Sequence, residues 1–168
     1  MKTILAAILA LTISHAARSA DMQTIAYPTP EAESFEITAP EDWEIKQAED
    51  TGDYFHLHGP TGAVFSFRTI KGSKGSMEKA IDEAMEELKT EYKGAELGDP
   101  QDWTPNGLKG FYLVGTATDK QDDGKVRVGM GWAALEDGKI AEFWFVADFA
   151  DDKGIAVAEK IANSLKAP

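Results

Sequence analysis

The stretch KGFYLVGTATDKQDDGKVRVGMGWAALEDGKIAEFWFVADF, residues 109–149, alternates apolar and polar side chains through three long runs separated by Asp-Gly pairs. Period-two alternation sends successive side chains to opposite faces of a β-strand. Asp-Gly between such runs is the strongest short-range hairpin signal. The stretch therefore predicts an antiparallel meander of strands over 109–120, 125–136 and 139–149, turning at Asp123-Gly124 and Asp137-Gly138. Two-residue turns would set the register, with Gly131 opposite Trp144 and Arg127 opposite Asp148. One face then carries Leu113, Ala117, Val128, Met130, Trp132, Phe143, Phe145 and Phe149, and is the core face. The other carries Tyr112, Arg127, Gly129, Gly131, Glu142, Trp144 and Asp148.

Glycine inside a strand weakens it unless the backbone must be approached closely. On the second face this allows two readings. Either a helix packs close, or the Trp144 ring covers the bare glycine; or Gly129 and Gly131 floor a shallow ligand groove walled by Tyr112 and Trp144. In the groove reading Arg127 anchors an anion, and in both it pairs with Asp148 when nothing is bound.

Upstream, 54–57 and 63–70 read as a strand pair around Gly59-Pro60-Thr61-Gly62, and SFEITAP and EDWEI as two short strands parted by Pro40. Ser76 is an N-cap candidate and Gly94 a C-terminal stop for a helix between them. Met77, Ile81, Ala84, Met85, Leu88 and Tyr92 fall on its inner face, with acids on its back. Ile155, Ala158, Ile161, Ala162 and Leu165 give a second helix over about 151–166 its apolar face. The order of strands, helix, meander and helix predicts an α+β domain with a single antiparallel β-sheet flanked by two main helices.

Two segments, FEITAPEDWEI (35–45) and AEFWFVADFADDKGIAVAEKIANSLK (141–166), resemble the PsbP-like family, which includes the Ran-binding Mog proteins. The first has the family's apolar strand, proline and tryptophan; the second is an aromatic strand feeding a helix that ends apolar-x-x-Ser-Leu. The resemblance covers 33–166 and implies an α/β/α sandwich and a non-enzymatic accessory or adaptor role.

The chain opens MKTILAAILALTISHAARSA: one lysine, an apolar run from Ile4 to Ile13, then small residues. That is the layout of a secretory signal peptide, too short in its apolar run to span a bilayer. Cleavage is expected after Ala16 or Ser19, with an extended arm over 21–33 and one domain over 34–168. The expected destination is the periplasm or the medium. Losing Lys2 and Arg18 leaves 15 basic against 29 acidic residues, a net charge of −14. Such a surface repels phosphate backbones and anionic lipid, so neither nucleic acid nor stable membrane insertion is expected. The absence of cysteine excludes a disulfide framework and a lipid-anchoring thiol.

His56 and His58, two apart on a strand, are the candidate metal ligands, with Tyr54 on the same side. A pairing of Gly59 with Gly62 would set His56 against Phe65 and His58 against Ala63. Zinc wants a third or fourth ligand, for which Glu36 and Glu44 are the candidates, since His15 lies in the signal segment. The acidic turn at 119–125 fails as a calcium loop because Met130 stands where the bidentate glutamate belongs. No nucleophile motif, phosphate loop or nucleotide fingerprint is present. The sequence thus reads as an exported binding protein, neither enzyme nor cofactor carrier, that recognises an envelope protein or a small ligand through its sheet face. Its alternative is a divalent-metal protein, chaperone or hydrolase, built on His56 and His58.

Overall fold

The computed structural model describes residues 21–47 and 54–168, so the segment read as a signal peptide lies outside the described residues. The chain opens with β1 (Met22–Tyr27) and β2 (Phe35–Pro40), followed by β3 (Glu44–Gln47), β4 (Phe55–His58) and β5 (Val64–Lys71). Helix α1 (Lys74–Glu91) leads straight into β6 (Tyr92–Leu97), then β7 (Gln101–Trp103). The meander is β8 (Gly110–Asp119), β9 (Lys125–Ala134) and β10 (Lys139–Asp148), and α2 (Asp152–Asn163) follows it.

In place of the expected single sheet, the described residues form two sheets. Strands β1 and β2 pair with each other, and the other eight form one sheet in the order β3-β4-β5-β10-β9-β8-β6, with β7 also on β8. Half of the stretch read as an extended arm is therefore the strand β1. The chain leaves the small sheet at Pro40, which has no N–H for a further ladder bond, and Trp43 N–H closes a turn onto its carbonyl at 3.0 Å. The turn-rich stretch after α1 also holds two strands, β6 and β7, that lack clear alternation.

Local chemistry explains the helix ends. Ser73, not Ser76, caps α1: its Oγ accepts from Ser76 N–H at 3.1 Å. Gly94, at φ +61°, lies inside β6 and not at a helix stop. Asp151 caps α2 by accepting from Gly154 N–H at 2.9 Å.

The register differs from the two-residue-turn expectation by one residue at two hairpins. Between β9 and β10, Leu135 N–H donates to Lys139 O at 2.9 Å and Gly138 N–H to Leu135 O at 3.2 Å. This is a three-residue loop over 136–138 whose last residue, Gly138, is left-handed at φ +78°. Trp144 consequently faces Met130, Phe143 faces Gly131, and Phe145 faces Gly129. Gly62 plays the same part at φ +92°, with Gly59 N–H on Ala63 O at 2.7 Å. His56 then lies opposite Ser66 and His58 opposite Val64, not Phe65 and Ala63. The β8–β9 loop is four residues long, and there the expected faces survive, with Tyr112 opposite Gly131.

A slip of one residue turns a strand over. The face under α1 carries Val128, Met130 and Trp132 with Ile140 and Trp144, covered by Ala84 and Leu88 of the helix. The opposite face carries Phe65, Phe67, Ala141 and Phe143, and packs against α2 through Ile155, Ala158 and Ile161. The β1–β2 hairpin completes that layer with Tyr27, Phe35 and Ile37. No described helix is long and apolar enough to cross a membrane.

Candidate functional site

The register divides the six residues expected in one groove between two faces of the sheet. Tyr112, Gly129 and Gly131 stay together and line a cavity of about 500 Å³ between β8–β10 and α2. Trp144 also borders this cavity, but it packs in the core cluster on the α1 face, where it and Asp148 share a second cavity with His56 and His58. The expected Arg127–Asp148 pair does not form. Arg127 lies opposite Ala147 with its guanidinium 5.3 Å from the centre of the Phe149 ring. Asp148 lies opposite Val126 and accepts from Ala150 N–H at 2.7 Å.

The two glycines of the first cavity do different things. A Cβ at Gly129 would sit 2.0 Å from Phe145 Cε1, so the Phe145 ring fills the space a side chain would take. The ring that covers a bare glycine is thus Phe145, not Trp144. At Gly131, itself buried, a Cβ would meet Tyr112 Cβ at 3.3 Å, Phe111 O at 3.4 Å and Trp103 Cζ3 at 3.7 Å, a looser fit than at Gly129 but not a bare one. Trp103 stands edge-on to Phe143, ring centres 5.5 Å apart, and donates through Nε1 to Asn163 Oδ1 of α2 at 2.9 Å. Tyr112 OH donates to Gln101 Oε1 at 2.7 Å. Ala158 and Ala162 are the small residues of α2 that keep the opposite wall low, and Asp102, Thr104 and Glu159 form its polar rim. Sequence reasoning missed Trp103, Phe145 and the two alanines. The first sits in a short strand without alternation, and the others need the register and the placement of α2.

On the α1 face, His56 Nδ1 shares a hydrogen bond with Ser66 Oγ at 2.7 Å, and the two histidine rings are 6.2 Å apart. Burial holds the His56 imidazole below its ordinary pKa, helped by the nearby charge of His58. Burial and Lys46 lower that of His58, against an opposing pull from Glu44. Glu44 is the cross-strand neighbour of His58, whereas Glu36 is in the small sheet, ion-paired to Lys166 at 2.5 Å. Among the described residues no group of three or more His, Cys, Asp or Glu is placed to hold a metal ion. Two neutral imidazoles beside a lysine form an incomplete zinc site.

Beneath this pair lies a buried charge network that the sequence did not announce. Glu142 is fully buried and accepts from Trp132 Nε1 and Tyr54 OH at 3.0 Å each, and from Arg68 Nε. Arg68 also stacks on Tyr54, 4.3 Å from the ring centre, and reaches Glu83 of α1 at 3.8 Å. Burial and then Glu142 push the Tyr54 hydroxyl far above its usual range, so it stays a donor. The contacts of the Glu142 carboxylate with Tyr54, Arg68 and Trp132 are all with donors, which leaves it satisfied.

No family model and no curated protein matches the sequence. Among solved structures, the chain is similar to cyanobacterial PsbP (CyanoP) from Synechocystis, with a TM-score of 0.66, 11% identity, and coverage of 94% of this chain and 99% of that one. It is also similar to a Bacteroides thetaiotaomicron crystal structure, with a TM-score of 0.52 and 16% identity over 80% of this chain. The chain spans 45% of that second protein. The architecture is therefore the PsbP-like fold that residues 35–45 and 141–166 resemble.

Proposed function

We propose that this chain is an exported accessory protein that works by binding, without catalysis, and takes a small apolar ligand in the groove between α2 and β8–β10. The groove itself carries the reading: about 500 Å³, within the range of small-molecule sites, with aromatic walls and a polar rim. Tyr112, Trp103 and Phe145 present flat apolar surface, and Gly129 and Gly131 add backbone to the lining. Asp102 and Glu159 on the rim disfavour an anionic ligand. Export rests on the layout of residues 1–20, and the accessory role on the likeness of fold to a PsbP protein.

The test uses N-phenyl-1-naphthylamine, a neutral apolar dye that brightens when it leaves water. The purified chain should enhance its fluorescence saturably, with one site. Ala162→Trp fills the groove from α2 and should abolish the effect while leaving the circular dichroism spectrum unchanged. No saturable enhancement, or an undiminished one in Ala162→Trp, would overturn the assignment. A fusion of residues 1–20 to a reporter tests export separately, by its appearance outside the cytoplasm.

A further inference from the structure

The cavity on the α1 face, about 820 Å³ in volume, shares only Trp144 and Phe145 with the lining of the groove, and its two ends differ in chemistry. One end holds His56, His58 and Trp144. The indole Nε1–H of Trp144 is buried without a hydrogen-bond partner, in a residue only 8% exposed. A donor in that state is costly unless an acceptor reaches it, so it calls for an oxygen. With Nδ1 held by Ser66, the other ring nitrogen of His56 is the one left for a ligand.

The other end lies where the last turn of α1 meets the β8–β9 loop. Glu87, Glu91 and Asp119 line it with Tyr92, whose hydroxyl is held above its ordinary pKa by burial first and then by these carboxylates. Lys125 is the one basic residue lining the cavity among the described residues, against these acids, Asp122 and Asp148. Carboxylates around an aromatic ring attract an organic cation, whereas the carbonyls of Lys89 and Thr90 in the last turn of α1 are already taken by the Lys120 ammonium. Between the two ends the floor is apolar, made by Val64 and Val146.

We propose that this cavity binds a basic amino acid, free or as the C-terminal residue of a peptide. Its carboxylate accepts from the Trp144 indole and the histidine end, its alkyl stem lies on the valines, and its ammonium or guanidinium enters the Glu87–Glu91–Asp119 cluster. This use of His56 and His58 needs no metal.

Calorimetric titration of the purified chain with L-arginine and L-lysine tests it. At least one should bind saturably with one site. Citrulline, which lacks the charge, and agmatine, which lacks the carboxylate, should each bind about tenfold weaker or worse. Glu91→Gln/Asp119→Asn, at positions outside the core, should weaken the preferred amino acid by a similar factor, and Trp144→Phe should do so while keeping an aromatic ring. Glycyl-glycyl-arginine binding more tightly than arginine would identify the peptide as the source, and weaker binding the free amino acid. No saturation by any basic probe, equal binding of citrulline, or indifference to the double carboxylate variant would overturn the proposal. Ala162→Trp should leave this binding unchanged, so failure of one site is distinguishable from failure of the other.

Discussion

The ring of Phe145 lies across the bare α-carbon of Gly129, where a Cβ would come within 2.0 Å of it. This contact exists only because Phe145, and not Trp144, shares a face with the glycines. It joins the register of the hairpin to the shape of the groove.

Gly129→Ala should therefore destabilise the fold by about 1–3 kcal/mol, the usual cost of overpacking, which exceeds the ~0.5–1 kcal/mol gained by replacing a strand glycine. Gly131→Ala should cost less, since its nearest neighbour is Tyr112 Cβ at 3.3 Å. Phe145→Leu should recover part of the Gly129→Ala loss in a double-mutant cycle read by urea denaturation. Equal costs at both glycines would contradict this register.

The Glu142 carboxylate and its donors predict a second hierarchy. Glu142→Leu leaves Arg68 without its buried partner and should cost about 3–5 kcal/mol. Tyr54→Phe removes one of three hydrogen bonds and should cost about 1 kcal/mol. Chemical denaturation measures both, and a Tyr54→Phe loss as large as that of Glu142→Leu would mean the hydroxyl, not the ion pair, organises the cluster.

Stability should fall as pH drops below the ordinary imidazole range. Burial lowers the pKa of both His56 and His58 in the folded chain. Above about pH 6.5 both states hold the rings neutral. Below it the unfolded chain takes up protons that the folded chain resists, so stability is lost with acidification until the folded values are passed. Urea midpoints at pH 7.5 and 5.5 should differ less in His56→Gln/His58→Gln than in the unmodified chain. Parallel shifts in the two proteins would show that the histidines do not contribute.

Zinc and copper should leave the thermal midpoint unchanged, because the histidine pair gains no third ligand among the described residues. A saturable rise that disappears in His56→Ala/His58→Ala would reinstate the metal reading.

The elements of this protein were legible because they depend on local chemistry. The alternation in 109–149, the apolar faces of both helices, and the aspartate turns all appear in the structure close to where the sequence places them. The family resemblance carried by Trp43 and by the strand-to-helix run after Ala141 likewise led to the PsbP-like architecture. Strands β6 and β7 were not legible, since their few exposed residues take their conformation from pairing with β8.

What the sequence by itself determined was the kind of each main element, the acidic surface, and the pairing of neighbours in the meander. What only the tertiary structure decided was which side chains meet. Asp137-Gly138 and Thr61-Gly62 are compatible with two-residue turns and with three-residue loops closed by a left-handed glycine. The folded chain uses the longer loop at both places, with Gly138 at φ +78° and Gly62 at φ +92°. Because side chains alternate along a strand, one extra loop residue moved Trp144 and Asp148 to the face of His56 and His58, and brought Phe143 and Phe145 beside the glycines.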